Sequence, residues 1–164
     1  MTTIEKKLID YLKDAHALQQ HVQGVLSELL TTAADEPDLC RRLGGYARRN
    51  RENTRAIEDR LRAHDASPSI VRDAEMLWGA IADVLKSRRN HVGRHVRDGY
   101  VAAHLQIAEA EMLRRIADRA GDAETAEVAA AVCDDAREIS AAISDNWDAA
   151  VELSLRRHGV HPHR

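Results

Sequence analysis

Between Ile4 and Leu29, apolar residues return at alternating intervals of four and three: Ile4, Leu8, Tyr11, Ala15, Leu18, Val22, Val25 and Leu29. A helix of 3.6 residues per turn puts such a series on one side. Residues 3–31 therefore predict one long helix with a sustained inner seam, and a chain that opens this way folds by packing helices side by side. A second stripe, Leu12, Gln19 and Leu26, places an amide among apolar neighbours near mid-helix, so Gln19 faces the core or flanks it.

The same spacing continues down the chain. Asp35-Glu36-Pro37 reads as a turn with an N-cap and a first-turn proline, opening a helix to His64 whose inner series is Leu39, Leu43, Tyr46, Asn50, Asn53 or Thr54, Ile57 and Leu61. The middle of that face is polar where a plain structural helix carries Leu or Ile, and Gly44-Gly45 marks a place for close packing or a bend. Ser67-Pro68 opens a shorter helix to Arg88 containing Trp78, and Ser87 to His95 reads as a loop. Asp98 is expected to cap a helix to Ala120 with Val101, Leu105, Ala108, Met112 and Ile116 inside, ended by Gly121. A last helix, 123–157, carries Ala129, Val132, Ala136, Ile139, Ile143, Asn146 or Trp147, Ala150 and Leu153. With no Phe, 3 Pro and 8 Gly in 164 residues, a sandwich or barrel is excluded. The expectation is all-α: a four-helix bundle with an additional short helix, one domain over 1–157, and a disordered His-containing tail over 158–164.

Charge and motifs narrow the function. The net charge of -3 from 24 basic and 27 acidic residues gives no global attraction to nucleic acid or anionic lipid. Eight arginines lie between Arg41 and Arg62, yet Glu52, Glu58 and Asp59 interleave without aromatic residues. A solvated, ion-paired helix face is the expectation there, and nucleic acid is disfavoured as a partner. Cys40 and Cys133 form no metal or redox motif, and they read as small packed hydrophobes. The opening lacks a hydrophobic signal core and no apolar run approaches membrane-spanning length, so a cytoplasmic protein with no membrane partner is expected. There is no GxSxG, Walker loop or GxGxxG, which argues against the common enzyme classes.

Three strings carry a family likeness: YLKDAHALQQHV at 11–22, RDGYVAAHLQIAEAEMLRRIADRAGDAETAEVA at 97–129, and ISDNWDAAVELSL at 143–155. Together with the order of the segments, they make the chain resemble the YciE/YciF-type ferritin-like family of bacterial stress-associated proteins. The resemblance implies a ferritin-like bundle, a homodimer, and mid-helix carboxylates and histidines converging on a pair of iron or manganese ions. In that mapping the family's first-helix Glu falls on Gln19, and its His-x-x-Glu falls on Tyr46 and Arg49 with the following Thr on Asn50. Its Glu-His-x-Glu falls on Ala103, His104 and Gln106, and its last acidic pair on Ala136 and Arg137. Of these ligands His104 alone is kept. An amide keeps an acceptor without the charge, whereas Arg adds a fixed positive charge and offers no lone pair.

The expected site is therefore a polar core network of Gln19, Tyr46, Arg49, Asn50, His104, Gln106 and Arg137. It either satisfies itself or holds a small anion, in a stress-associated protein that is not a catalyst and carries no cofactor. The alternative is a metal site for iron, manganese, zinc or copper, with an oxidase or storage role, drawn from His16, His104, Glu109, Glu111, Asp134, Asp135 and Glu138. A weaker alternative is an arginine-driven nucleic-acid or anion binder, and an unidentified protein partner also fits. His158, His161 and His163 in the tail are expected to be solvated.

Overall fold

The computed structural model describes residues 3–68 and 92–160, and among these every regular element is helical: α1 Thr3–Thr32, α2 Pro37–Ala63, α3 Val92–Ala120, α4 Ala123–Ser144 and α5 Trp147–Arg157. None of these helices is long and apolar enough to cross a membrane. The expected helix through Trp78 lies outside the described residues, as do His161 and His163.

Side-by-side packing joins α1 to α2 and α3, and α4 to α2 and α3. The end of α1 meets the start of α3 through Thr32 Oγ1 and His95 Nδ1 at 2.8 Å, while the end of α2 meets the start of α4 through Arg60, His64 and Asp122. The helices thus run up, down, down, up, with the end of α2 and the start of α3 at opposite ends of the bundle. That is the ferritin-like order.

Most of both stripes read on α1 is buried, Leu8, Ala15, Leu18, Val22 and Leu29 with Leu12, Gln19 and Leu26, while Ile4, Tyr11 and Val25 are half-buried. On α2 the buried series is Leu43, Tyr46, Asn50, Thr54, Ile57 and Leu61, whereas Leu39 is exposed near the first turn. A Cβ added at Gly44 or Gly45 would meet nothing within 4 Å, so neither is held by a close neighbour, and α2 runs through them unbroken.

Three expectations are corrected. First, α3 begins at Val92, which turns the expected 87–95 loop into helix from that residue on. Asp98 is then a buried interior residue taking the Arg97 guanidinium at 2.7 Å. Second, the inner face of α3 is Ala102, Ala103, Gln106, Ala110, Leu113 and Ala117, while Val101 (36%) and Met112 (45%) are exposed. Ala110 and Ala117 share a core cluster with Ala129 of α4, and Ala136 of α4 is buried as well. Third, the last helix breaks after Ser144. Asn146 adopts φ -127°, ψ 20°, and its side-chain amide donates to the Ala142 carbonyl at 2.7 Å, a local bond that competes with the helical ladder. The segment α5 then packs on α3, and Arg157 donates to the Thr32 carbonyl at 2.7 Å, closing the free end of α1.

A single residue ties the opposite end of the bundle. Gly121 (φ 75°) lets the chain reverse, and the Asp122 N–H reaches back to the Ala117 carbonyl at 3.0 Å. The Asp122 carboxylate then caps α4 by accepting the Thr125 N–H at 3.0 Å, and it also takes Arg60 at 3.0 Å and His64 at 2.7 Å from the end of α2. Burial works to raise its pKa, but the Thr125 hydroxyl and N–H, with His64 and Arg60, overcome this and hold it well below the usual carboxylate range. Asp122→Ala is expected to cost about 2 kcal/mol, the cap plus a half-stranded arginine, and to lower Tm by about 4–8 °C. Asp122→Asn, which keeps the cap acceptor, is expected to lose less; thermal unfolding of the two variants checks the order.

Candidate functional site

Two apolar clusters fill the bundle. One contains Leu8, Leu12, Ile57, Leu61 and Leu113, and the other Leu18, Val22, Leu26, Leu43 and Ile139. Gln19, Asn50 and Gln106 lie between them, each at most 4% exposed and each from a different helix. The Gln106 amide donates to Gln19 Oε1 at 3.0 Å and to Asn50 Oδ1 at 3.2 Å, and the Asn50 amide donates to the Gln19 backbone carbonyl at 3.0 Å. Thr54 closes the next turn by donating to the Asn50 carbonyl at 2.8 Å. Three neutral amides thus exchange their hydrogen bonds in a layer with no net charge.

At the edge of this layer Tyr46 is buried, with the Arg49 guanidinium 4.9 Å from its ring centre. Arg49 does not enter the centre. It crosses to α4 and donates to Asp135 at 2.7 Å and to Glu138 at 2.8 Å, while Asn53 donates to the second Asp135 oxygen at 2.8 Å. Two of the positions expected in the network lie elsewhere. His104 is on the exposed side of α3, bonded to the Ser140 hydroxyl at 2.9 Å and tilted against the Tyr100 ring. It is displaced because Ala103 and Gln106, its neighbours on the helix, take the inward positions. Arg137 is also exposed and joins Glu111 at 2.8 Å and Asp134 at 3.4 Å, because Ala136 occupies the inward position of α4.

The expected metal ligands are scattered. His16 pairs with Glu58 at 3.0 Å, Glu111 holds Arg114, Arg115 and Arg137, Asp134 faces Arg137, and Asp135 and Glu138 hold Arg49. Among the described residues, no group of three or more His, Cys, Asp or Glu side chains is placed to hold a metal ion. The residues at the bundle centre do not fit a di-metal cluster: Gln19, Asn50 and Gln106 are neutral amides bonded to one another, and Asp135 and Glu138 are bound to the Arg49 guanidinium, which leaves Glu109 as one carboxyl where a pair of cations needs several.

Glu109 is an ionisable residue that belongs to the centre. One helical turn after Gln106, it lines with Gln19 and Gln106 a void of about 10 Å³, the size of one water, and its Oε1 and that of Gln106 are both buried without a hydrogen-bond partner. Two acceptors cannot satisfy each other, whereas a protonated carboxyl supplies a hydroxyl. Burial, and then the Asp14 carboxylate, push Glu109 up to about 7. Its role was visible in the sequence only to a reader who had the α3 register, since it follows Ala102 and Gln106 on the true inner stripe. The folded state holds this proton between the ordinary value of 4.5 and about 7, so stability from this group is full below 4.5 and falls as pH rises through 7. The total is about 3 kcal/mol. Glu109→Gln is expected to remove that slope and to exceed the parent in stability at pH 8, which urea unfolding of both proteins at pH 5 and pH 8 measures.

A family model described as Domain of unknown function (DUF892) matches residues 3–156. Among solved structures, a protein from Xanthomonas campestris pv. campestris superimposes with a TM-score of 0.79 at 20% identity, covering 96% of this chain and 100% of that one. The E. coli stress protein YciF superimposes with a TM-score of 0.71 at 16% identity, covering 93% of this chain and 98% of that one. At these identities the likeness is one of fold.

Proposed function

The chain belongs to the family described as Domain of unknown function (DUF892), and from that membership we propose a YciF-like stress-associated bundle in which a neutral amide layer replaces the di-metal centre of the ferritin-like plan. The protein acts by binding or by its structure and not by metal redox chemistry. The observation that carries the reading is the Gln106 amide, which donates to both Gln19 Oε1 and Asn50 Oδ1 and so fills with N–H groups the space where cations would need anionic oxygen. The Arg49 bonds to Asp135 and Glu138 support it, because they occupy with a fixed positive charge the carboxylates that stand closest to the family's last acidic pair.

Metal content tests the reading. The full chain with His158, His161 and His163 changed to Ala, grown with added iron, manganese and zinc, is expected to carry far less than one metal ion per molecule by mass spectrometry. About one or two ions per chain would overturn it and return the bundle centre to metalloenzyme chemistry.

A further inference from the structure

The break between α4 and α5 leaves space at one end of the bundle. A cleft of about 330 Å³ opens there between α2, the end of α4 and α5, within the range of small-molecule sites. Its lining is mostly apolar and includes Leu43, Ile143 and three small residues, Ala142, Ala149 and Ala150. Arg42, Tyr46 and Ala142 line both this cleft and a second, more polar one beside Arg49 and Asp145, so the two adjoin.

The cations around the apolar cleft differ in one respect. Arg156 faces Glu36 at 3.8 Å, and Arg41 beside the junction is held by Asp38 at 3.0 Å. Arg42, at the junction itself, makes no ion pair or hydrogen bond among the described residues. We propose that this end of the bundle binds an unbranched amphiphile with an anionic head, a medium-chain fatty carboxylate. Its alkyl chain lies along the alanine-lined wall and its carboxylate meets the Arg42 guanidinium, whose planar fork matches two oxygens. Of the carboxylates that line the cleft, Asp38 is held by Arg41 and Glu36 faces Arg156, while Glu152 on α5 turns like charge toward a head group placed on that side. This site is separate from the amide layer and does not depend on what that layer does.

Isothermal titration of the full chain with decanoate, below its micelle concentration, tests the assignment. One saturable site per chain is expected. Arg42→Gln, at an exposed position, is expected to weaken binding about tenfold or more. Ala149→Trp, also at an exposed position, fills the cleft and is expected to abolish binding with the helical circular dichroism unchanged. Decyltrimethylammonium is expected to give no saturable heat. The proposal is overturned by the absence of saturable decanoate binding, by parental affinity in either variant, or by equal binding of the cationic amphiphile.

Discussion

A hydrogen-bonding group removed from water must find a partner inside the protein, and that requirement shapes the middle of this bundle. Gln19, Asn50 and Gln106 come from three helices, and their mutual bonds hold only at one relative height of those helices. Sliding one helix by a turn would strand several buried amide groups, at about 1–3 kcal/mol each. Leucines and alanines tolerate such slippage far better, because apolar contact has no direction. The amide layer thus sets the register for two clusters that would otherwise be interchangeable slabs of aliphatic side chains. Arg49 extends the same control to α4, which contributes no amide to the layer.

The layer also explains the state of Glu109. A carboxylate in a metal-bearing centre is kept ionised by the cation beside it, but among the described residues no positive charge is placed to do that for Glu109. Arg49 is bound to Asp135 and Glu138, and Arg137 to Glu111 and Asp134, on the outside of α4. What Glu109 meets is burial and the Asp14 carboxylate, and both favour the acid form. Charge has been moved outward throughout this level of the bundle, and a neutral centre follows from that.

Much of this was legible in the chain. The α1 stripes and the inner face of α2 are written in Leu, Val and Ile at strict spacing, and the polar residues Gln19 and Asn50 stand out because they interrupt that spacing. The inner face of α3 was not legible for a physical reason. Two stripes compete there, Val101, Leu105, Ala108 and Met112 against Ala102, Gln106, Ala110, Leu113 and Ala117, and a reading by hydrophobicity prefers the larger residues. The fold buries the smaller ones against α4, where Ala129 and Ala136 are buried too, and leaves Val101 and Met112 exposed. The outward position of His104 and the inward position of Glu109 both follow from that choice, so an error in register propagates into the site. The break at Asn146 was hidden for another reason. The apolar spacing runs across it through Ile143, Ala150 and Leu153, while the interruption lies in a side-chain bond to the Ala142 carbonyl.

That break has a consequence for packing as well as for the path of the chain. Redirecting α5 lets it close the ends of α1 and α3, but a helix that crosses others at their ends cannot interlock with them along its length. Space then remains unless large side chains fill it, and the residues present at the crossing, Ala142, Ala149 and Ala150, are small. Water gains little in such a place, because an apolar wall offers few of the two to four hydrogen-bond partners that an ordered molecule requires. An alkyl chain needs none and removes apolar area from solvent at roughly 25 cal/mol for each Å². The geometry that ties the last helix to the bundle therefore leaves a wall suited to hydrocarbon, with Arg42 at its edge to select the charge of what enters.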